Sequence, residues 1–266
     1  MQTSAAVLAV ILLLAAPLSA QDALNEARRF YNAGKYEAAE RSARAAASQP
    51  RTANSAKVVL GRALLELYRE SASEQHFAQA REALRSVDAD QLEISERVEL
   101  MLGLAQGLFL EDRFGAAAEV IEPMIPASAT LGQLAHDRAL DWWASALDRH
   151  AQTRPLPERH PIYARITSRM SAELLRDTGS APANYWLVAA TRSSGDVEGA
   201  WSGAMASWIR SVLGRDHGVS LRGDLDRLMI QGIIPDRAAR IGGAEPNMVI
   251  AGLVGEWEAF KASWTK

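Results

Sequence analysis

Cysteine is absent from all 266 residues. For an exported chain that rules out a disulfide framework and lipid attachment through a cysteine, so packing alone must hold the fold. No Asn-x-Ser/Thr glycosylation acceptor occurs. Aromatic residues make up only 6% of the chain and β-branched runs are scarce, while alanine is abundant. Alanine is the strongest helix former, so this balance favours an all-α protein. Charge of one sign is also lacking: Lys+Arg 29 against Asp+Glu 32 gives a net charge of -3, with no long basic tract. A phosphate backbone or an anionic membrane surface is therefore excluded as the main partner. Motifs of the His-Glu-x-x-His, phosphate-loop and Gly-x-Ser-x-Gly types are missing too, and nothing calls for a cofactor. What remains, 48% hydrophobic and 23% charged, is the composition of a globular chain with a sizeable core.

One long apolar run is present. It spans Ala5 to Ala16 and is followed by Pro17 and then Leu18-Ser19-Ala20. This reads as a secretory signal over residues 1–20, cleaved after Ala20, although Met1 to Ser4 lack the usual Lys or Arg. The run is short for a bilayer span, and an uncleaved anchor is the alternative. No later segment is apolar enough to cross a membrane, so the expected location is periplasmic or secreted.

The chain after the signal carries a recurring stripe. Tyr36, Ala39, Ala43 and Ala46 fall on one helix face, behind a turn at Gly34 and ahead of Pro50. Phe77, Ala80, Leu84 and Val87 repeat the spacing, as do Phe114, Ala117, Ile121 and Met124. Tyr163, Ile166 and Met170 follow it more loosely. Val197, Ala200 and Ala204 return to it behind Gly195-Asp196. Each stripe is preceded by an amphipathic segment, which predicts five helix pairs with first helices near 22–34, 52–69, 92–110, 131–150 and 183–193. The stretch from Ala151 to Pro161, with three prolines, reads as an irregular loop inside the fourth pair.

With Ala27, Phe30, Gly34, Tyr36, Ala39, Ala46 and Pro50 in place, the first pair resembles the tetratricopeptide repeat, a 34-residue helix-turn-helix module. The resemblance is divergent: the early tryptophan is missing, and the stripes start 41, 37, 49 and 34 residues apart instead of at a constant interval. It implies an all-α, right-handed α-solenoid of about five pairs over residues 21–213, with a helical cap over 214–266. In the cap, Leu221, Leu225, Leu228, Met229 and Ile233 form one stripe, Pro235 opens a short helix, and Gly242-Gly243 with Pro246 break it. A last helix aligns Leu253, Trp257, Phe260 and Trp264. This segment is the expected surface for any homo-oligomer.

The resemblance also implies a concave groove lined by the first helices that receives a protein or peptide partner. Its candidate residues are Arg28, Tyr31, Asn32, Arg62, Glu66, Gln106, Trp142, Tyr185 and Arg192. The Lys/Asn carboxylate clamp of one subtype is not implied, because Leu24 and Arg28 stand at those positions. Five of the seven tryptophans lie in the fourth and fifth pairs, as space-filling rings or as an aromatic wall. Adjacent Trp142 and Trp143 point about 100° apart on a helix, so one of them is the better ligand candidate.

Catalytic groupings are weak. His150, Glu158 and His160 match no common zinc spacing, and Asp216, His217 and Ser220 stand too close together in sequence for a hydrolytic triad. The expected function is an exported scaffold for protein interaction, in cell-envelope assembly or transport. The rival is an envelope polysaccharide or peptide hydrolase using Glu66, Glu99, Asp141 or His150.

Overall fold

The computed structural model describes residues 19–241 and 245–265, and among them there are helices and no strand. The predicted signal (residues 1–18 of it) and the Gly242-Gly243 break lie outside the described residues. No helix among those described is long and apolar enough to cross a membrane. The chain forms two compact units, Met1–Gln91 and Leu92–Lys266.

In the first unit, α1 (Ala20–Asn32), α2 (Tyr36–Ala47), α3 (Ala53–Ser71) and α4 (Glu74–Arg85) each pack on the next helix. The Ser19 side chain caps α1 by accepting from the Asp22 backbone N–H. Ala39, Ala43 and Ala46 are fully buried, as close contact along the stripe requires. Gly61 does the same for α3: a Cβ there would lie 2.5 Å from Leu84 Cγ on α4.

The second unit contains α5 (Ile94–Leu110), α6 (Phe114–Ile121), α7 (Ile125–Ser128), α8 (Gln133–Gln152), α9 (Leu156–Arg176), α10 (Ala181–Ser193) and α11 (Val197–Arg210). It continues with α12 (Val219–Leu228), α13 (Ile234–Ala238) and α14 (Pro246–Trp264). Here α8 packs on α5, α10 on α8 and α12 on α10, so the first helices of successive pairs stand side by side. One core gathers Ile121, Leu140, Trp143, Leu147, Tyr163, Ile166 and Met170 between α6, α8 and α9. A second joins Trp201 and Trp208 of α11 to Leu225, Met229, Ile233 and Trp257. The C-terminal segment thus shares its core with α11.

Three of the hairpins share one turn. At α1–α2, Gly34 N–H donates to Tyr31 C=O and Lys35 N–H to Phe30 C=O. At α5–α6 the same two bonds run from Asp112 to Phe109 and from Arg113 to Leu108. At α10–α11 they run from Gly195 to Arg192 and from Asp196 to Thr191. This is the Schellman closure, which needs a left-handed residue just beyond the helix end. Gly34, Asp112 and Gly195 supply it with φ of 71°, 58° and 96°. An aromatic pair spans two of these turns, Tyr31 with Tyr36 at 5.7 Å and Phe109 with Phe114 at 5.1 Å between centroids.

One local expectation is corrected. The segment from Ala151 to Pro161 is largely helical, because α8 runs through Gln152 and α9 begins at Leu156. Pro155 caps α9 and Pro157 falls in its first turn, where a missing N–H removes no intrahelical bond; Pro161 lies inside the helix. Pro235 stands in the first turn of the short helix α13, as expected, and α13 follows α12 and a π-helical turn at Met229–Ile233 without a break. The wider turn ahead of Pro235 gives the ring room against the preceding carbonyls.

Candidate functional site

Helical spacing along α8 brings Arg138, Asp141, Trp142, Ser145, Asp148 and Gln152 to one face. That face adjoins α10, which contributes Tyr185 and Trp186. The Trp186 indole N–H donates to Asp141 Oδ1 at 2.7 Å, and its ring meets Tyr185 edge-on at 5.3 Å. Trp142 meets Phe109 of α5 edge-on at 5.0 Å. Trp142, Tyr185 and Trp186 are all half-buried, whereas Trp143 is fully buried. The predicted divergence of the two neighbouring rings is observed, with Trp142 the accessible one.

Asp148 is half-buried and accepts from two neutral donors, the Tyr163 hydroxyl at 3.2 Å and the Gln152 amide at 2.6 Å. Burial raises its pKa, outweighing those bonds and the charge of Arg149. Burial also raises the Tyr163 hydroxyl, helped by the Asp148 charge. The Tyr185 hydroxyl is raised by burial first, then by the negative charges of Asp224, Asp148 and Asp141, with Arg227 acting in the opposite sense. Asp148 and Tyr185 thus carry perturbed groups at this face, with the buried Tyr163 bonded to Asp148, a pattern associated with functional surfaces.

A second polar cluster lies inside the same unit. His136 Nδ1 stands 3.1 Å from both Ser128 Oγ and the Ile125 carbonyl, and its Nε2 lies 3.2 Å from Glu173 Oε2. Arg176 holds the other side of that carboxylate, donating through Nε at 3.0 Å and through a guanidinium NH2 group. Serine, histidine and glutamate are triad residue types, but Ser128 is fully buried and its hydroxyl donates to the Ile125 carbonyl at 2.7 Å. The cluster ties α7 to α8 and α9. Burial pushes the Glu173 pKa up, and hydrogen bonds and charge from Arg176 and His136 more than reverse this, leaving it below the ordinary value.

The sequence-derived groove residues separate by unit. In the first, the Arg62 guanidinium sits 4.5 Å from the Tyr31 ring centroid, a cation–π contact between α1 and α3. Glu66 is buried and binds Arg69 at 2.6 Å; Arg28 is half-buried and Asn32 exposed. In the second, Gln106 is buried, Trp142 and Tyr185 lie on the face just described, and Arg192 forms an ion pair with Asp236 at 2.7 Å. Burial of Glu66 and Gln106 gives them packing roles, and the ion pair gives Arg192 a role in joining α10 to α13. Of the proposed hydrolytic carboxylates, Asp141 holds Trp186 in place and Glu99 is half-buried on α5. His150 packs against Gly115, and burial lowers its pKa.

Sequence reasoning passed over Asp148 and left Trp186 open between a space-filling ring and part of an aromatic wall. The seven-residue interval from Asp141 to Asp148 on a helix beside Trp142 was the available signal. Glu158 and His160 are exposed on α9, and no group that could hold a metal ion occurs among the described residues. Asp216 accepts from the Gly218 and Ser220 backbone N–H groups and so shapes the start of α12, which accounts for the Asp-His-Ser grouping structurally. No protein-family model, curated protein or solved structure matches this chain.

Proposed function

We propose that this chain is an exported, tetratricopeptide-like scaffold that captures a protein partner on the inner faces of its first helices, in cell-envelope assembly or transport. The observation that carries the reading is the half-exposed aromatic and acidic face of α8 and α10, built on first helices that stand side by side. The Schellman turn shared by three hairpins supports the repeat assignment, because one hairpin geometry used again stacks pairs in a regular way. A preformed face of this kind loses little entropy on binding, and rings such as Trp186 and Tyr185 are the side chains that dominate interface energetics.

Affinity capture from envelope extract with the tagged full chain tests the reading. Trp186→Ala and Tyr185→Ala should each lose a partner that the wild type retains, with helix content and melting behaviour preserved. Capture of the same partner by all three proteins would contradict it.

A further inference from the structure

Two carboxylates of the second unit, the buried Glu173 and the half-buried Asp148, differ in how their charge is met. Glu173 faces an arginine guanidinium and a histidine. Asp148 takes its hydrogen bonds from a tyrosine hydroxyl and a carboxamide, leaving its charge poorly compensated. A carboxylate held that way destabilises the fold that carries it, a feature associated with sites kept for function.

The surroundings indicate what would complete it. Asp141, Asp148 and Asp224 all act on the Tyr185 hydroxyl. Asp224 is bound by Arg227 at 3.1 Å, so the attraction for a cation is greatest toward Asp148. Trp186 donates to Asp141 and meets Tyr185 edge-on, so ring surface adjoins this acidic region, and aromatic faces bind ammonium and guanidinium groups. The carboxylates sit on separate turns and helices without forming a metal-binding group, which suits a string of side-chain cations better than one ion.

We infer that the face formed by α8, α10 and α12 binds a lysine- or arginine-bearing segment of the partner protein. The cationic heads lie among Asp148, Asp141 and Asp224, and the alkyl stems lie on Tyr185 and Trp186. This rests on the interaction-scaffold reading and adds the chemistry of the partner.

The test titrates the purified full chain with a labelled short lysine-rich peptide and with its glutamate-substituted counterpart, at low and high salt. The wild type should bind the lysine peptide, more weakly as salt rises, and should not bind the glutamate peptide. Asp148→Asn and Asp141→Asn keep an oxygen acceptor for Tyr163 and Trp186 and should each weaken binding about tenfold. A site of this kind also predicts that Asp148→Asn melts no lower than wild type, which a carboxylate serving only the fold would not show. If Asp148→Asn fails to fold, Asp141→Asn carries the test alone. Equal binding of the two peptides, binding of neither, or unchanged affinity in both variants overturns the inference. If neither peptide binds while Trp186→Ala still abolishes partner capture, the cationic preference falls and the scaffold reading stands. If capture is also unaffected, both fall.

Discussion

Tyr163 on α9 donates its hydroxyl hydrogen to the Asp148 carboxylate on α8 across 3.2 Å, and burial raises the pKa of both groups. The bond pins α9 to α8 while leaving a negative charge on a half-buried carboxylate. Asp148→Asn keeps the acceptor and removes the charge. It should stabilise the protein at neutral pH by up to about 1 kcal/mol, roughly 2–4 °C in Tm. The sign follows from the raised pKa: the charged form is penalised in the folded state, so the penalty is absent in acid. It develops as pH rises through the unfolded and then the folded value. Melting curves of the variant should show their gain over wild type only above that window.

Glu173 predicts the opposite dependence. Its pKa is lowered, so its contribution to stability is complete above the ordinary glutamate range, about pH 4, and disappears as pH falls through the lower folded value. Glu173→Gln removes a carboxylate facing His136 and Arg176 and should cost about 2 kcal/mol at neutral pH. Urea unfolding of both proteins should converge toward acid pH.

Two fully buried tryptophans differ in one hydrogen bond. Trp257 Nε1–H donates to Asp226 at 2.9 Å, whereas Trp143 Nε1 has no hydrogen-bond acceptor among the described residues. Replacement by phenylalanine leaves a void in both cores, but only at Trp257 does it also break a bond and strip a carboxylate of a donor. Trp257→Phe should therefore be the more destabilising by about 1 kcal/mol, measured by chemical unfolding.

Ala39→Leu tests the small-residue stripe. Ala39 is fully buried where α2 meets its neighbours, and three added carbons have no space there. Overpacking should cost about 1 to 3 kcal/mol, read as a lower unfolding midpoint. A neutral result would show that the stripe is not a close-contact seam.

The helices were legible because their burial is periodic. Tyr163, Ile166 and Met170, and likewise Val197, Ala200 and Ala204, are core residues at the spacing that announced them. The turns at Gly34 and Gly195 were legible because glycine adopts positive φ without strain, while Asp112 performs the same closure at φ 58° with no compositional sign. Proline misled at Pro157 and Pro161, since its effect depends on position within a helix and not on its presence. Of the candidate groove residues, Trp142 and Tyr185 lie half-buried on the α8–α10 face, Glu66 and Gln106 are buried and Arg192 pairs with Asp236, placements set by tertiary packing that helical spacing alone does not carry. Which carboxylates meet a cation is a tertiary fact that separates Asp148 from Glu173, and spacing along one helix carries no trace of it.

The absence of native cysteine makes any introduced thiol a unique attachment point, and Ser145 shares the α8 face with Trp142 and Asp148. A photoreactive label on Ser145→Cys, set beside one on Ser168→Cys at an exposed position of α9, addresses the interaction face directly. The account predicts crosslinks to a partner protein from position 145 and none to that partner from position 168. Equal crosslinking from both positions, or crosslinking from position 168 alone, would contradict it.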